Sequence, residues 1–247
     1  MKRTLHALGM CQSMFCAIPS PWQGWDEAAR GKMLLFLPLI GLEIGAIWAG
    51  LDALAQWLGL HPMMTALAIS LWPYLATGFL HLDGFMDVTD AVKSCRDLTR
   101  RREILKDSHV GSFAVIGCIL LMLAQFVSAS CLPQVGRGWL LLLLPVVSRF
   151  GSSLAVTLLR PMSTSQYAAQ QVPKFHGYVL GGGVLLAVAL GFCCGWKVGT
   201  ALLAAAAGYA LALRKGYRSL EGMNGDIAGY ALTLSELWGI GAFALLG

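Results

Sequence analysis

The chain has 247 residues, of which 57% are hydrophobic and only 13% charged, with 18 Lys and Arg against 13 Asp and Glu, giving a net charge of +5. Soluble globular domains carry charge on about a quarter of their residues, so this composition excludes a soluble fold. The apolar runs are continuous and do not alternate over about ten residues, which excludes a membrane barrel and leaves an all-α integral membrane protein.

Residues 1–18 hold His6, Gln12 and scattered small residues, without the unbroken apolar core of a cleavable signal. Residues 4–18 are weakly amphipathic, with Leu5, Leu8, Phe15 and Ile18 available to one face and Pro19 and Pro21 ending the segment. They are expected to form an interfacial helix along the cytoplasmic surface. Seven spans follow at 33–57, 63–80, 113–131, 138–159, 179–196, 198–213 and 227–246, most of them near the roughly 20 residues that cross a hydrocarbon core. The second is expected to run on as helix into 81–92, since no turn cluster follows it. The sixth is short and rich in Ala and Gly, which suits close helix contact. Gly181, Gly182 and Gly183 predict a close crossing or kink in the fifth. No repeat, low-complexity stretch or long linker divides the chain, so residues 1–247 read as a single polytopic domain.

With the N-terminus cytoplasmic and seven crossings, 15 of the 18 Lys and Arg fall on the cytoplasmic side. Only Arg137 and Lys197 fall outside, and Arg149 lies within a span. That partition follows the positive-inside rule and places the chemistry at the cytoplasmic face of the membrane. The seven cysteines show no C-x-x-C spacing and read as small packing residues.

The segment Phe79-Leu-His-Leu-Asp-Gly-Phe-Met-Asp-Val-Thr-Asp90 carries the strongest chemical signal. At about 100° per residue, Asp83, Asp87 and Asp90 fall within about 60° of one another on one helical face. Three such carboxylates repel one another unless a cation holds them, and a hard ion such as Mg²⁺ takes oxygen ligands and completes its shell with phosphates and water. Gly84 would let a phosphate or a neighbouring helix approach. His81 points away from this face, toward packing or a secondary role. Glu103 and Asp107 have helical i, i+4 spacing and lie beside six positive charges between Lys93 and Lys106. Lys93, Arg96 and Lys106 are candidate phosphate contacts, and Glu103 or Asp107 would complete a metal site or accept a proton. Asn224 and Asp226 lead into the last span, and Glu236 lies about 15 Å further along that helix. Arg149, Glu236, Glu43 and Asp52 are ionisable groups at membrane depth, where such groups are usually paired or functional. An Arg149–Glu236 pair would lock the bundle, and Glu43 with Asp52 would line a wet groove.

These motifs resemble the cobalamin synthase, or adenosylcobinamide-GDP ribazoletransferase, family. The likeness runs over Phe36-Leu-Pro-Leu-Ile-Gly41, the His-Leu-Asp-Gly-x-x-Asp-x-x-Asp run, Glu103-Ile-Leu-Lys-Asp-Ser108 with Gly111, Ser148-Arg149 and Asn224-Gly-Asp226 with Glu236. It departs from the family's pattern at Ser112-Phe113-Ala114, His109 and Asn224, none of them a carboxylate. The resemblance implies an enzyme that joins GDP-activated adenosylcobinamide to α-ribazole or its 5′-phosphate, releases GMP and depends on Mg²⁺. It implies Asp83, Asp87 and Asp90 at the metal, and Glu103 and Asp107 in catalysis. Ser108, Arg149, Asn224 and Asp226 would join the basic residues on substrate, with His81, Gly84, Gly111 and Glu236 in secondary roles. The expected partners are the corrinoid, α-ribazole and the bilayer, with no nucleic acid; a homo-oligomer or an association with other corrinoid-assembly enzymes is compatible with the sequence. Two other classes compete. CDP-alcohol phosphotransferases use Asp-x-x-Asp-Gly, but position 80 here is Leu. A cation-coupled transporter would explain Glu43 and Glu236, but transporters are typically built from repeats.

Overall fold

A computed structural model describes residues 2–22, 24–163, 165 and 173–247. Among these residues helix is the regular secondary structure, apart from one isolated bridge between Pro161 and Met223. The order is α1 (Lys2–Phe15), α2 (Glu27–Met33), a 3-10 turn (Leu34–Phe36), α3 (Leu37–Trp57), α4 (Pro62–Leu75), α5 (Leu80–Lys93) and α6 (Leu98–Ile104). Then come α7 (Ser112–Ser130), α8 (Arg137–Leu158), α9 (Lys174–Cys194), α10 (Trp196–Leu220) and α11 (Gly225–Leu245). Six of these stretches are long and apolar enough to cross a membrane, and the bent pair α4–α5 makes a seventh if it counts as one span. The chain is a multi-pass helical membrane protein.

Local chemistry accounts for the helix starts. Asp26, Asp97 and Asn224 accept a backbone N–H of the first turn of α2, α6 and α11 at 3.0 Å, satisfying amides that have no partner within the helix. Pro62 opens α4, where a missing N–H costs nothing.

The expected continuous helix through Leu80 does not form. α4 and α5 meet at 82°, and the chain turns through Gly78 (φ 56°) and Phe79 (φ 64°), both in the left-handed region. Gly78 takes that conformation without a Cβ clash. Thr77 Oγ1 donates to the Pro73 carbonyl at 3.0 Å, in place of the Thr77 N–H, which turns to the Tyr74 carbonyl as the helix ends. The sixth span is longer than expected, because α10 extends over Trp196–Leu220.

α8 and α11 form the centre, with 67% of their apolar windows buried against 22% for α7 and α9. α3 and α8 approach through small residues. A Cβ on Gly41 would lie 2.6 Å from the Pro145 carbonyl oxygen, and one on Gly45 would overlap the Leu142 carbonyl. Further along the same contact, Arg137 meets Asp52 through two bonds of 2.8 and 3.0 Å. Trp48 Nε1 donates to the Ile69 carbonyl and Trp72 Nε1 to the Ile44 carbonyl, each at 3.0 Å, fixing α3 to α4. Of the glycine run in α9, Gly183 meets Phe150, while Gly181 and Gly182 face open space.

The N-terminal helix exists and buries much of the expected face, with Phe15 buried and Leu8 and Ile18 packed partly buried beside it. Ala7, Met10, Cys11, Phe15 and Cys16 are buried against α2, α3 and Ala76, while Leu5 is exposed. Tertiary packing recruited small residues that an amphipathicity count undervalues. Cys11 and Cys16 are thus packing residues, whereas Cys95, Cys131 and Cys193 are exposed. The groove expected between Glu43 and Asp52 is also absent. Asp52 is buried against Arg137, and Glu43 lines a separate cavity, accepting from Gln12 Nε2 at 3.2 Å.

Candidate active site

Asp83, Asp87 and Asp90 all lie within α5, Asp83 exposed and the other two half-buried. α11 crosses α5 at Gly84, where a Cβ would lie 2.9 Å from both Cα and the carbonyl oxygen of Asp226. One turn on, a Cβ on Gly229 would sit 3.2 Å from His81 Cα. Phe85 and Tyr230 stack with ring centroids 5.7 Å apart beside this crossing. The neighbour that Gly84 admits is therefore a helix backbone.

The crossing brings a fourth carboxylate into the cluster. Asp226 sits in the first turn of α11, and Asn224, the cap of that helix, donates from Nδ2 to Asp226 Oδ2 at 2.6 Å. The loop before it is tied down where Met162 donates to the Met223 carbonyl and Met223 to the Arg160 carbonyl, each at 2.9 Å. Asp87 lies within reach of the charges of Asp83, Asp226 and Asp90. Among the described residues none of these four acids makes an ion pair. Gly111 closes the far end, because any Cβ there would overlap the carboxylate of Asp90. No three acidic, His or Cys side chains among the described residues converge, as placed, into a ready coordination sphere.

Over residues 7–244 the sequence matches the model of the cobalamin-5-phosphate synthase family. The chain belongs to that family. It is 37% identical over 245 residues to the adenosylcobinamide-GDP ribazoletransferase of Clostridium perfringens (strain 13 / Type A), covering 97% of this chain and 98% of the relative. Its identity to the protein of the same name from Pseudomonas putida (strain W619) is 36% over 235 residues, 90% and 91% of the two chains. With the one from Clostridium botulinum (strain Alaska E43 / Type E3) it is 31% over 245 residues, 97% of each. No solved structure matches the chain.

In this cobalamin-5-phosphate synthase family member the second acidic pair is arranged differently from its spacing. α6 ends at Ile104, so Glu103 and Asp107 do not share a helical face. Glu103 accepts from Arg100 at 2.8 Å, and Asp107 accepts from the His109 backbone N–H at 3.0 Å and lies 2.7 Å from its ring, all at exposed positions. The His109 backbone N–H and ring hold the Asp107 carboxyl below the usual carboxylate range. Arg101 and Arg102 donate to the carbonyls of Ser219, Leu220 and Glu221, capping the C-terminal end of α10. Lys93, Arg96, Lys106 and Ser108 are exposed, and the three cations form no ion pair among the described residues.

Arg149, expected on the substrate, and His81, expected in a packing or secondary role, both lie in the interior. Arg149, 1% exposed, is paired with Glu236, and Ser148 Oγ bridges the two at 3.0 Å from each. Burial gives that guanidinium a partner inside the protein in place of an open face. His81 is buried as well, its carbonyl accepting from Thr233 Oγ1 at 3.2 Å. The Asp52–Arg137 pair was missed by sequence reading, since nothing local links those two positions.

Proposed function

We propose that the chain catalyses the joining of GDP-activated adenosylcobinamide to α-ribazole, or its 5′-phosphate, with release of GMP, a late step in cobalamin assembly. The observation that carries this reading is the match to the cobalamin-5-phosphate synthase family over residues 7–244. The α5–α11 carboxylate cluster supplies the chemistry the reaction needs, and the positive partition of the loops supports an active site on the cytoplasmic face of a bacterial inner membrane.

The ribazole hydroxyl oxygen attacks the phosphorus attached to the corrinoid. A new O–P bond forms while the bond from that phosphorus to the bridging oxygen breaks, and the electron pair leaves with GMP. The hydroxyl proton passes to a carboxylate, for which Glu103 and Asp107 on the exposed rim are the candidates. Lys93, Arg96 and Lys106 stand free to meet the diphosphate.

The donor set fits Mg²⁺. Asp83, Asp87, Asp90 and Asp226 offer only hard oxygen ligands, and their mutual repulsion falls when a cation joins them. Bound there, the ion would neutralise charge on the diphosphate and on the departing GMP. Purified protein in detergent or liposomes, given GDP-cobinamide, α-ribazole and Mg²⁺, releases GMP. Chelation with EDTA stops the release, and added Mg²⁺ restores it. Asp83→Asn lowers turnover by on the order of 10³-fold with the fold intact. Near-normal turnover in both Asp83→Asn and Asp87→Asn would remove the metal-site assignment.

A further inference from the structure

A cavity of about 230 Å³ lies between α1, α3, α5, α8 and α11, and Asp226 belongs both to its wall and to the acidic cluster. The lining is apolar except for His81, Ser152 and Asp226. His81 is 7% exposed, and its Nε2 has no hydrogen-bond partner among the described residues. Its ring lies nearly parallel to that of Phe15 from α1, with centroids 6.4 Å apart and planes 18° apart. Buried ring nitrogens are ordinarily paired, and an unpaired one on a residue that lines a cavity marks a place where a ligand atom can complete the bond once the ring turns toward it.

We propose that this cavity receives the aromatic base of the ribazole acceptor, with His81 Nε2 as its hydrogen-bond partner. The inference rests on the transfer reading above and deepens it. A benzimidazole riboside presents two apolar faces and one ring nitrogen with a free lone pair, to which an imidazole N–H donates. Guanine, the other flat base in the reaction, carries several donors and acceptors along its edge. A wall with three polar side chains would leave some of them buried and unpaired, which is unfavourable. Asp226 joins the two regions, so an acceptor seated here has its sugar directed toward the acids.

The test separates the two substrates. His81→Ala removes the hydrogen-bond partner, and Val156→Phe fills the cavity from α8. Loss of one buried hydrogen bond corresponds to a rise of about tenfold in KM for α-ribazole, with KM for GDP-cobinamide held within about twofold. An unchanged ribazole KM in both variants overturns the proposal, and so does a parallel rise in both constants. A rise confined to the GDP-linked corrinoid also overturns it and assigns the cavity to guanine. If His81→Ala does not fold, Val156→Phe alone decides. If the wild-type protein releases no GMP, the transfer reading fails, and calorimetric binding of α-ribazole still tests the cavity. Binding weakened in the variants supports the proposal, and equal binding or none overturns it.

Discussion

Where α3 meets α8, Asp52 and Arg137 neutralise each other through contacts of 2.8 and 3.0 Å. Where α5 meets α11, Asp83, Asp87, Asp90 and Asp226 share one neighbourhood with no ion pair among the described residues. Both sites are built by close helix crossings at glycine: Gly41 and Gly45 in the first, Gly84 in the second. The first arrangement is what stability selects, since a buried charge is tolerated when it is paired. The second gathers like charges without a counter-charge, an arrangement concentrated at functional sites. Burial and helix packing alone would not distinguish them; the presence or absence of a counter-charge does.

The same substitution at the two places should therefore give opposite results. Asp87→Asn lowers GMP release by on the order of 10³-fold while leaving thermal stability unchanged or raised, because it relieves repulsion. Asp52→Asn strands the Arg137 guanidinium and destabilises the fold by about 3–5 kcal/mol, with turnover per folded molecule preserved. Paired thermal-shift and turnover measurements check both, and a loss of stability in Asp87→Asn would break the contrast. Gly84→Ala has an intermediate effect. Its methyl group presses on the Asp226 backbone, costs about 1–3 kcal/mol, and lowers turnover by moving Asp226 away from α5.

The smallest effect concerns the rim. The Asp107 carboxyl sits below its ordinary range in the folded protein, so its contact with His109 stabilises the loop at pH above the unfolded value. That contribution disappears as pH falls through the folded value, well on the acid side of neutrality. His109→Ala removes the ring and keeps the backbone N–H, so Asp107 titrates at higher pH than in the wild type, though still below an ordinary carboxylate. A carboxyl-carbon NMR titration checks the direction, and an unmoved Asp107 would show that the ring contributes nothing.

Much of this was legible in the sequence because it depends on local periodicity. The apolar runs gave the spans, and the 3.6-residue repeat put Asp83, Asp87 and Asp90 on one face of α5. What escaped depends on distant contacts or on single residues. The break between α4 and α5 hangs on Gly78 and on Phe79 adopting a left-handed conformation that no propensity favours for Phe. Glu103 and Asp107 had helical spacing, yet the Asp97-capped α6 stops after Ile104. Asp226 gained its place beside Asp87, and Asp52 its partner, only when helices far apart in sequence packed together.

The seating of α3 on α8 also decides how the chain is threaded through the bilayer. Gly41 faces Pro145, Gly45 faces Leu142 and Asp52 pairs with Arg137, so residue numbers rise along one helix as they fall along the other. The two helices are antiparallel, and between them lie the bent pair α4–α5 and the span α7. An antiparallel result requires that the bent pair pass from one face to the other, as a re-entrant loop would leave α3 and α8 parallel. Among the described residues the count is then seven, and α1 and the end of α11 lie on opposite sides. The exposed Cys95 and Cys131 flank α7, so an impermeant thiol reagent added to one face of a sealed vesicle reaches one of them and spares the other.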